Sequence, residues 1–301
     1  ILLTKLTPMM KQYFDIKEKY KDCILFFRLG DFYEMFFDDA IIASRELEIT
    51  LTGRDCGGQD RAPMCGVPFH SADSYIAKLV EKGYKVAICE QIEDASKAVG
   101  IVKRDVVRIV TPGTITDSNL LDENDNNYLC CIYLDDLSNS IGISYTDIST
   151  GELYTTQVEQ DAENLSNIII NEIAKIRPKE LIVNSSLIDN EVIINGIKRK
   201  FNIFINSYHD WSFQFNLAED NIKNHFNVLS LEGLGLIDNK YSIISTGALL
   251  EYLKETQKTS LNHINQINNY HLDNYMKLDL ATRINLELVE TIRRKNRKGS
   301  L

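Results

Sequence analysis

The sequence of 301 residues predicts a multi-domain α/β protein. This prediction rests on short apolar runs typical of buried strands, on apolar residues at helical spacing between those runs, and on a length that exceeds one ordinary domain. The patterns divide the chain into a mixed-sheet α+β domain at residues 1–113, a linker at 114–126, an α/β domain at 127–244 and the start of a helical domain at 245–301.

The first domain is predicted from alternating helical and strand patterns. Thr7 and Pro8 supply a capping hydroxyl and a proline at the first helical position, so a helix is expected from there to about Tyr20. The other predicted elements are, in order, a strand at 23–27, a helix at 33–47, a strand at 49–52, a Gly- and Pro-rich loop at 53–68, a helix at 71–83 and strands at 85–89 and 105–110.

The second domain is predicted as a meander of three strands followed by a helix and a further strand. This order of elements is typical of ribonuclease-H-like α/β domains. Apolar residues at helical spacing from Ser245 onward predict the start of an all-helical core, which is too short to bury its own apolar faces. The predicted elements of the second domain are strands at 128–133, 141–145 and 152–156, a helix at 162–176 and a strand at 180–183.

Acidic and basic residues are unevenly distributed along the chain. The formal net charge is −10, but residues 1–110 carry −1, residues 111–245 carry −12 and residues 246–301 carry +3. The composition therefore excludes a globally basic nucleic-acid-binding protein. It leaves the two outer segments able to approach a phosphate backbone, because electrostatic repulsion is weak there.

The cysteine pattern and the hydropathy indicate the cellular setting. Six cysteines without C-x-x-C spacing are expected to be reduced core residues of a cytosolic protein. The sequence has neither a signal peptide nor an apolar run near the ~20 residues of a membrane span, so no membrane partner is expected. The chain opens on Ile1 and stops at Leu301, and we expect both ends to be cut from a longer protein.

Phe32 and Glu34 are the most informative candidate site residues. They follow a predicted strand and Gly30, and on an extended backbone two residues at this spacing leave the same face. An aromatic ring beside a carboxylate suits a base partly lifted from its stack, because the ring wedges against the base while the carboxylate accepts a hydrogen bond from the base edge. The alternative is that Phe32 packs in the core and Glu34 is a solvated helix residue.

Several motifs carry a family resemblance. Residues 146–151 (TDISTG) and 280–287 (LATRINLE) add to four ordered motifs in the first domain. Those four are residues 30–36 (GDFYEMF), 63–70 (PMCGVPFH), 86–91 (VAICEQ) and 107–114 (VRIVTPGT). Over essentially its whole length, the chain resembles the amino-terminal part of the MutS family of bacterial DNA mismatch-repair proteins.

The resemblance implies roles for the domains and for particular residues. The three domains would be a mismatch-recognition domain, a connector domain and the start of the helical core. Phe32 would stack on the mispaired base in kinked DNA, and Glu34 would hydrogen-bond that base. Arg54, Arg61 and Met64 lie in or beside the loop that approaches the minor groove in this family, so they are candidate phosphate or groove contacts. Ordinary surface or loop-packing roles are the alternative for all three.

The resemblance also implies partners and cofactors. Mismatched double-stranded DNA would be the ligand, a MutL-type protein would bind through the connector, and the full-length protein would be a homodimer in the bacterial cytoplasm, associated with the nucleoid. No catalytic residue, metal ligand or cofactor is expected within the 301 residues. The sequence contains no G-x-x-x-x-G-K-[ST] motif, and the family's ATPase, with ATP and Mg²⁺, is expected beyond residue 301.

Two other functions remain open from the sequence. A metal-dependent nuclease would need converging carboxylates in the second domain, for which Asp135, Asp136 and Asp147 are the candidates. All three lie in or beside predicted turns, and turn chemistry explains them as well. A pure protein-interaction module is also compatible with the acidic middle segment.

Overall fold

Two six-stranded mixed sheets organise the residues that the computed structural model describes, which are 6–57, 61–93, 100–115, 126–160, 162–272, 278–288, 291 and 300. The chain divides into two compact units. The first unit comprises Ile1–Asp125 with Leu253–Ser260, and the second comprises Asn126–Tyr252 with Leu261–Leu301. The prediction of an α/β protein with mixed sheets is confirmed.

The described residues of the first unit form six strands and three α-helices. The strands are β1 (Cys23–Leu29), β2 (Phe32–Phe36), β3 (Thr52–Arg54), β4 (Ala62–Pro68), β5 (Lys85–Gln91) and β6 (Arg104–Val110). The helices are α1 (Pro8–Lys17), α2 (Phe37–Leu47) and α3 (Ala72–Glu81). The sheet order is β3-β4-β2-β1-β5-β6, in which β1 and β5 are parallel and the other neighbours are antiparallel.

Helices cover both faces of this first sheet. α1 begins where the Thr7 hydroxyl accepts a hydrogen bond from the Met10 amide at 3.4 Å, and its apolar residues pack on one face. α2 and α3 pack on the other face, against residues that include Tyr33 and Met35 of β2. Because side chains alternate along a strand, the odd-numbered residues of β2 enter the α2 and α3 core and the even-numbered residues face the α1 side.

Most predicted elements of the first unit are confirmed, as α1, β1, α2, α3, β5 and β6, but the predicted start of α2, the strand predicted at 49–52 and the loop predicted at 53–68 are wrong. The helix predicted at 33–47 begins at Phe37, and the residues before it form β2. The strand predicted at 49–52 begins only at Thr52 and runs to Arg54 as β3. The predicted loop at 53–68 contains β4. β4 forms despite its glycine and prolines because it lies between β2 and β3, which both pair with it.

The described residues of the second unit contribute a second set of six strands and six α-helices. The strands are β7 (Tyr128–Asp135), β8 (Ser140–Asp147), β9 (Glu152–Glu159), β10 (Glu180–Val183), β11 (Phe204–Ser207) and β12 (Gln266–Asn269). The helices are α4 (Ala162–Ile176), α5 (Ser185–Ile188), α6 (Glu191–Lys200), α7 (Phe215–Phe226), α8 (Lys240–Gln257) and α9 (Leu280–Asn285). The end of α8, from Leu253, belongs to the segment grouped with the first unit. The sheet order is β11-β10-β7-β8-β9-β12.

Helices also cover both faces of the second sheet. α4 and α6 pack on one face, against residues that include Ile132 and Ile143. On the other face, the Ser144 hydroxyl forms hydrogen bonds with the hydroxyls of Ser245 and Thr246 in α8, at 2.7 Å and 2.9 Å. Residues 241–250 of α8 are all buried, so this stretch of the helix is enclosed on every side.

The predicted strands of the meander, the following helix and the next strand are confirmed as β7, β8, β9, α4 and β10. The expectation of an all-helical segment from Ser245 onward holds for α8 but is wrong for β12, which pairs in parallel with β9. That pairing joins segments more than 100 residues apart and has no local signal. The predicted linker lies mostly outside the described residues, and the domain boundaries at 113, 126 and 244 stay predictions.

All six cysteines are buried and free of disulfide bonds, as expected for reduced core residues. Burial raises the pKa of the Cys23, Cys65 and Cys89 thiols to about 12, so each is a neutral thiol at physiological pH. None of the helices in the described ranges is both long and apolar enough to cross a membrane.

Candidate nucleic-acid interface

Phe32 and Glu34 lie on one face of β2, because the backbone there is extended. Phe36 occupies the same face two positions further on and is fully buried beneath α1, where its ring centroid lies 5.1 Å from that of Tyr13. At Phe32 the face is uncovered, and this side chain is 47% exposed. The structure therefore presents an aromatic ring and a carboxylate side by side at the open end of the sheet face.

The strand that carries Phe32 is held on both sides. Phe32 is in register with Leu29 of β1 and with Pro68 of β4. Gly30 makes the tight turn between β1 and β2 at a φ of +58°, a left-handed conformation that glycine adopts without steric cost. The ring therefore projects from a paired central strand rather than from a loop.

An ion pair with Arg54 of β3 holds the Glu34 carboxylate. Arg54 Nη1 contacts Glu34 Oε2, and the two side chains are 38% and 15% exposed. Glu34 is in register with Gly66 of β4, where an added Cβ would lie 3.5 Å from Glu34 Cγ and 3.2 Å from the carbonyl oxygen of Tyr33. Gly66 therefore keeps the space beside Glu34 free of a neighbouring side chain.

The other two candidate DNA contacts are engaged within the protein. Arg61 donates a hydrogen bond from Nη2 to the carbonyl oxygen of Gly53. Met64 packs partly buried against the α1 side of the sheet, and its sulfur accepts a hydrogen bond from Thr52 Oγ1 at 3.7 Å. Arg61 therefore links the strands β3 and β4, and Met64 contributes to the packing of the sheet. A DNA contact by either residue stays a prediction.

Arg104, a basic residue at the start of β6, is also committed to the fold. Its Nε donates to the carbonyl oxygen of Arg28 at 2.7 Å, and its Nη1 donates to Gln12 Oε1 at 3.0 Å. The guanidinium lies over the ring of Phe27, 5.2 Å from its centroid. Burial lowers the pKa of Arg104 from its ordinary value, which is the behaviour of a partly desolvated structural arginine.

Sequence reasoning missed two features of this face. The ion pair between Glu34 and Arg54 joins residues 20 positions apart, and no local pattern indicates it. Gly66 carried a signal, because a glycine inside a strand often marks a close approach of another group, but residue 66 fell within the predicted loop.

The carboxylate of Asp147, considered for a metal site, is satisfied by donors from its own turn and from Asn127. Asp147 is 3% exposed. Its Oδ2 accepts a hydrogen bond from the Asn127 amide at 2.8 Å, and its Oδ1 accepts from the Ser149 amide at 2.9 Å and from the Ser149 hydroxyl at 2.6 Å. This donor set holds the turn after β8 in place.

The three aspartates of the nuclease alternative do not converge. β7 and β8 pair Tyr128 with Asp147 at one end and Asp135 with Ser140 at the other. Since β7 has 8 residues, Asp135 and Asp147 are on the order of 23 Å apart at ~3.3 Å per residue. Asp136 follows Asp135 directly in the turn. Within the described residues, no three His, Cys, Asp or Glu side chains form a cluster able to hold a metal ion.

Asp147→Ala is expected to lower the free energy of unfolding of the second unit by about 2–3 kcal/mol, because the buried Asn127 amide and two partly buried donors on Ser149 lose their acceptor. Asp135→Ala is the control and should cost less than about 1 kcal/mol. Urea unfolding followed by the fluorescence of Trp211 measures both. Stabilisation of the wild type by Mg²⁺ that Asp147→Ala abolishes would contradict the assignment to a turn.

The fold and the open face together define a class of protein, a multi-domain α/β protein with a candidate nucleic-acid-binding sheet face. Comparison with known families is more specific. The family model described as MutS domain I matches residues 7–119, and the model described as MutS domain II matches residues 127–265. The chain belongs to the MutS family.

Curated relatives agree with both models, and each carries the name "DNA mismatch repair protein MutS". The relative from Alkaliphilus oremlandii is 57% identical over 301 residues, that from Acetivibrio thermocellus 56% over 301 and that from Clostridium tetani 52% over 299. Each alignment covers 99% of this chain but only 34%, 34% and 32% of the respective relative. The chain thus spans about a third of the length of the curated relatives that it matches.

Proposed function

We propose that this chain recognises mismatched double-stranded DNA and acts in DNA mismatch repair. The observation that carries the proposal is the exposed ring of Phe32 beside the carboxylate of Glu34 on a strand that is paired on both sides. Membership of the MutS family and the names of the relatives support it.

Phe32 acts as a wedge in this proposal. A mispaired step stacks more weakly than a matched step, so kinking the duplex there costs less. Unstacking a matched step costs a few kcal/mol, and stacking of a base on an aromatic side chain contributes about 1–3 kcal/mol. A ring carried on a paired strand needs no ordering of its backbone when it inserts, so this part of the entropic cost of binding is avoided.

Glu34 acts as a selective acceptor. A carboxylate close to phosphates repels DNA unless a base N–H donates a hydrogen bond to it. A matched, stacked base pair uses its Watson–Crick donors internally, whereas a displaced base exposes donors. Glu34 therefore penalises sites that offer no donor and contributes more to selectivity than to total affinity.

The charge distribution agrees with recognition by wedge and deformation. Residues 1–110 carry a net charge of only −1, which supplies little of the sequence-independent attraction that counterion release gives to basic proteins. We therefore expect the isolated chain to bind matched DNA weakly, with its preference for a mismatch supplied by Phe32 and Glu34.

Further proposals concern the whole protein, of which this chain matches about a third. By family membership, that protein is proposed to bind ATP and Mg²⁺ outside residues 1–301, to form a homodimer, and to contact a MutL-type protein through the second unit. A cytoplasmic, nucleoid-associated location is proposed on the same ground. No catalytic residue is proposed within the chain itself.

Phe32→Ala is expected to reduce the preference for a mismatched over a matched duplex by about 5- to 150-fold, which corresponds to the loss of ~1–3 kcal/mol of stacking. Fluorescence anisotropy titrations at low salt measure this preference as the ratio of the affinities for two duplexes that differ by one mispair. Ile41→Ala is the matched control, because Ile41 in α2 is 46% exposed, close to the value for Phe32, and lies on the helix that packs on the opposite face.

The control should retain the wild-type preference. If Phe32→Ala also retains it, the wedge is not Phe32. If the wild type binds both duplexes equally, the proposed function itself is wrong for this chain.

A further inference from the structure

We propose that Arg54 is a positioning residue for mismatch discrimination: it holds one oxygen of Glu34 so that the other oxygen faces the DNA as a fixed hydrogen-bond acceptor. This inference rests on the proposed function and gives Arg54 a role through Glu34, in place of the phosphate or groove contact that its sequence position suggests.

The ion pair gives the two oxygens of the Glu34 carboxylate different environments. Arg54 Nη1 contacts Oε2 of Glu34. Within the part of the chain that the structure describes, Oε1 has no hydrogen-bond partner. A guanidinium donates hydrogen bonds and accepts none, so it requires Glu34 to act as an acceptor. The remaining oxygen is then presented in one orientation.

The surroundings keep this arrangement in place. Glu34 is only 15% exposed, which limits the directions that its carboxylate can take. Gly66, in register with Glu34, contributes no side chain between the two strands that carry the ion pair. Arg54 itself is part of the β3 ladder, where it is in register with Ala62. Both partners therefore start from paired strands.

The ion pair also changes the cost of bringing Glu34 close to DNA. Paired with a cation, the carboxylate repels phosphates less than a free anion does, while its open oxygen still requires a base donor. Loss of Arg54 should therefore leave the Glu34 carboxylate unpaired and without a fixed orientation. We expect this loss to lower the preference for a mismatched over a matched duplex.

A double-mutant cycle between Arg54 and Glu34 tests the inference. Anisotropy titrations with matched and mismatched duplexes, at two salt concentrations, would compare the wild type with Arg54→Met, Glu34→Gln, the double variant Arg54→Met/Glu34→Gln, and Arg54→Lys. Arg54→Met is expected to lower the mismatch preference by about tenfold, the size of one hydrogen bond to a charged group. Arg54→Lys, which keeps a cationic donor, should restore part of it.

The double variant is expected to show the same preference as Glu34→Gln alone, because Arg54 acts through Glu34. Two outcomes would overturn the inference. One is an equal loss of affinity for both duplexes in Arg54→Met with a salt slope reduced by about 1, which identifies a phosphate contact. The other is a double variant whose loss of mismatch preference equals the product of the losses in the two single variants. A wild type without mismatch preference would instead refute the proposed function.

Discussion

Gly142→Ala is expected to lower the free energy of unfolding of the second unit by about 4 kcal/mol or more, an effect reached only where a core cannot accommodate a substitution. A Cβ at Gly142 would overlap the carbonyl oxygen of Tyr241 and lie 2.5 Å from its carbonyl carbon. These are backbone atoms of α8, so no side-chain rotation relieves the overlap, and α8 has to move away from β8. The hydrogen bonds that Ser144 forms with Ser245 and Thr246 would be lost in that movement.

Gly196→Ala in α6 is the matched control for this prediction. A Cβ at Gly196 would lie 3.3 Å from Cδ1 of Ile170, the flexible end of a side chain, and alanine favours a helix over glycine by up to ~1 kcal/mol. The control should therefore change stability by no more than about 1 kcal/mol in either direction. Trp211 is the one tryptophan of the sequence and lies in the second unit, so its fluorescence during urea unfolding reports on this unit. Similar stabilities for the two variants would contradict the packing of α8 on β8.

Lys17→Met is expected to destabilise the first unit by about 3 kcal/mol at neutral pH. Lys17 Nζ lies 2.9 Å from Oδ1 of Asp39, whose side chain is 7% exposed, and the Leu25 amide donates to Oδ2 of Asp39 at 3.0 Å. Removal of Lys17 leaves the buried carboxylate without its cation, which costs more than the pair itself contributes to stability.

This loss of stability should depend on pH. Burial raises the pKa of Asp39 above its ordinary value, and the Leu25 amide and Lys17 oppose the rise. A carboxyl whose pKa is higher in the folded state favours folding most below its unfolded pKa of about 3.9, and this contribution is lost as the pH rises through the folded pKa. Without Lys17 the folded pKa of Asp39 rises further, so the difference from the wild type should shrink as the pH falls from about 7 toward about 4, the ordinary value for an aspartate.

Urea unfolding followed by circular dichroism at the two pH values, together with hydrogen exchange of the Leu25 amide, measures this difference. Lys21→Met is the surface control, since the Lys21 side chain is 76% exposed. The double variant Lys17→Met/Asp39→Asn removes the buried charge with its partner and should recover most of the stability. A loss that is the same at both pH values, or that the double variant does not relieve, would contradict a buried ion pair.

The elements that local patterns predict correctly are those whose burial is visible in their own residues. β1, β5, β7 and β10 are short apolar runs, as expected of strands buried on both faces. α1 carries its own start signal in Thr7 and Pro8, and the Thr7 hydroxyl caps it. β4 and β12 were missed because their composition is typical of loops, and they are strands only because β2, β3 and β9 pair with them.

The candidate site was predictable in its residues but not in its geometry. The spacing of Phe32 and Glu34 indicates one shared face only if the backbone is extended, and the helical spacing that runs through Phe36 into α2 favoured a helix there. The pairing of β2 with β1 and β4 settles the backbone as extended.

Local sequence is sufficient for the order of most helices and strands, the acidic middle segment and the family motifs, because each of these is a property of neighbouring residues. Tertiary structure decides that Phe32 is left uncovered, that Arg54 holds Glu34, and that Asp135 and Asp147 lie at opposite ends of a ladder. Each of these depends on strands distant in the chain that share a register or a face, and such pairing is a property of the folded sheet.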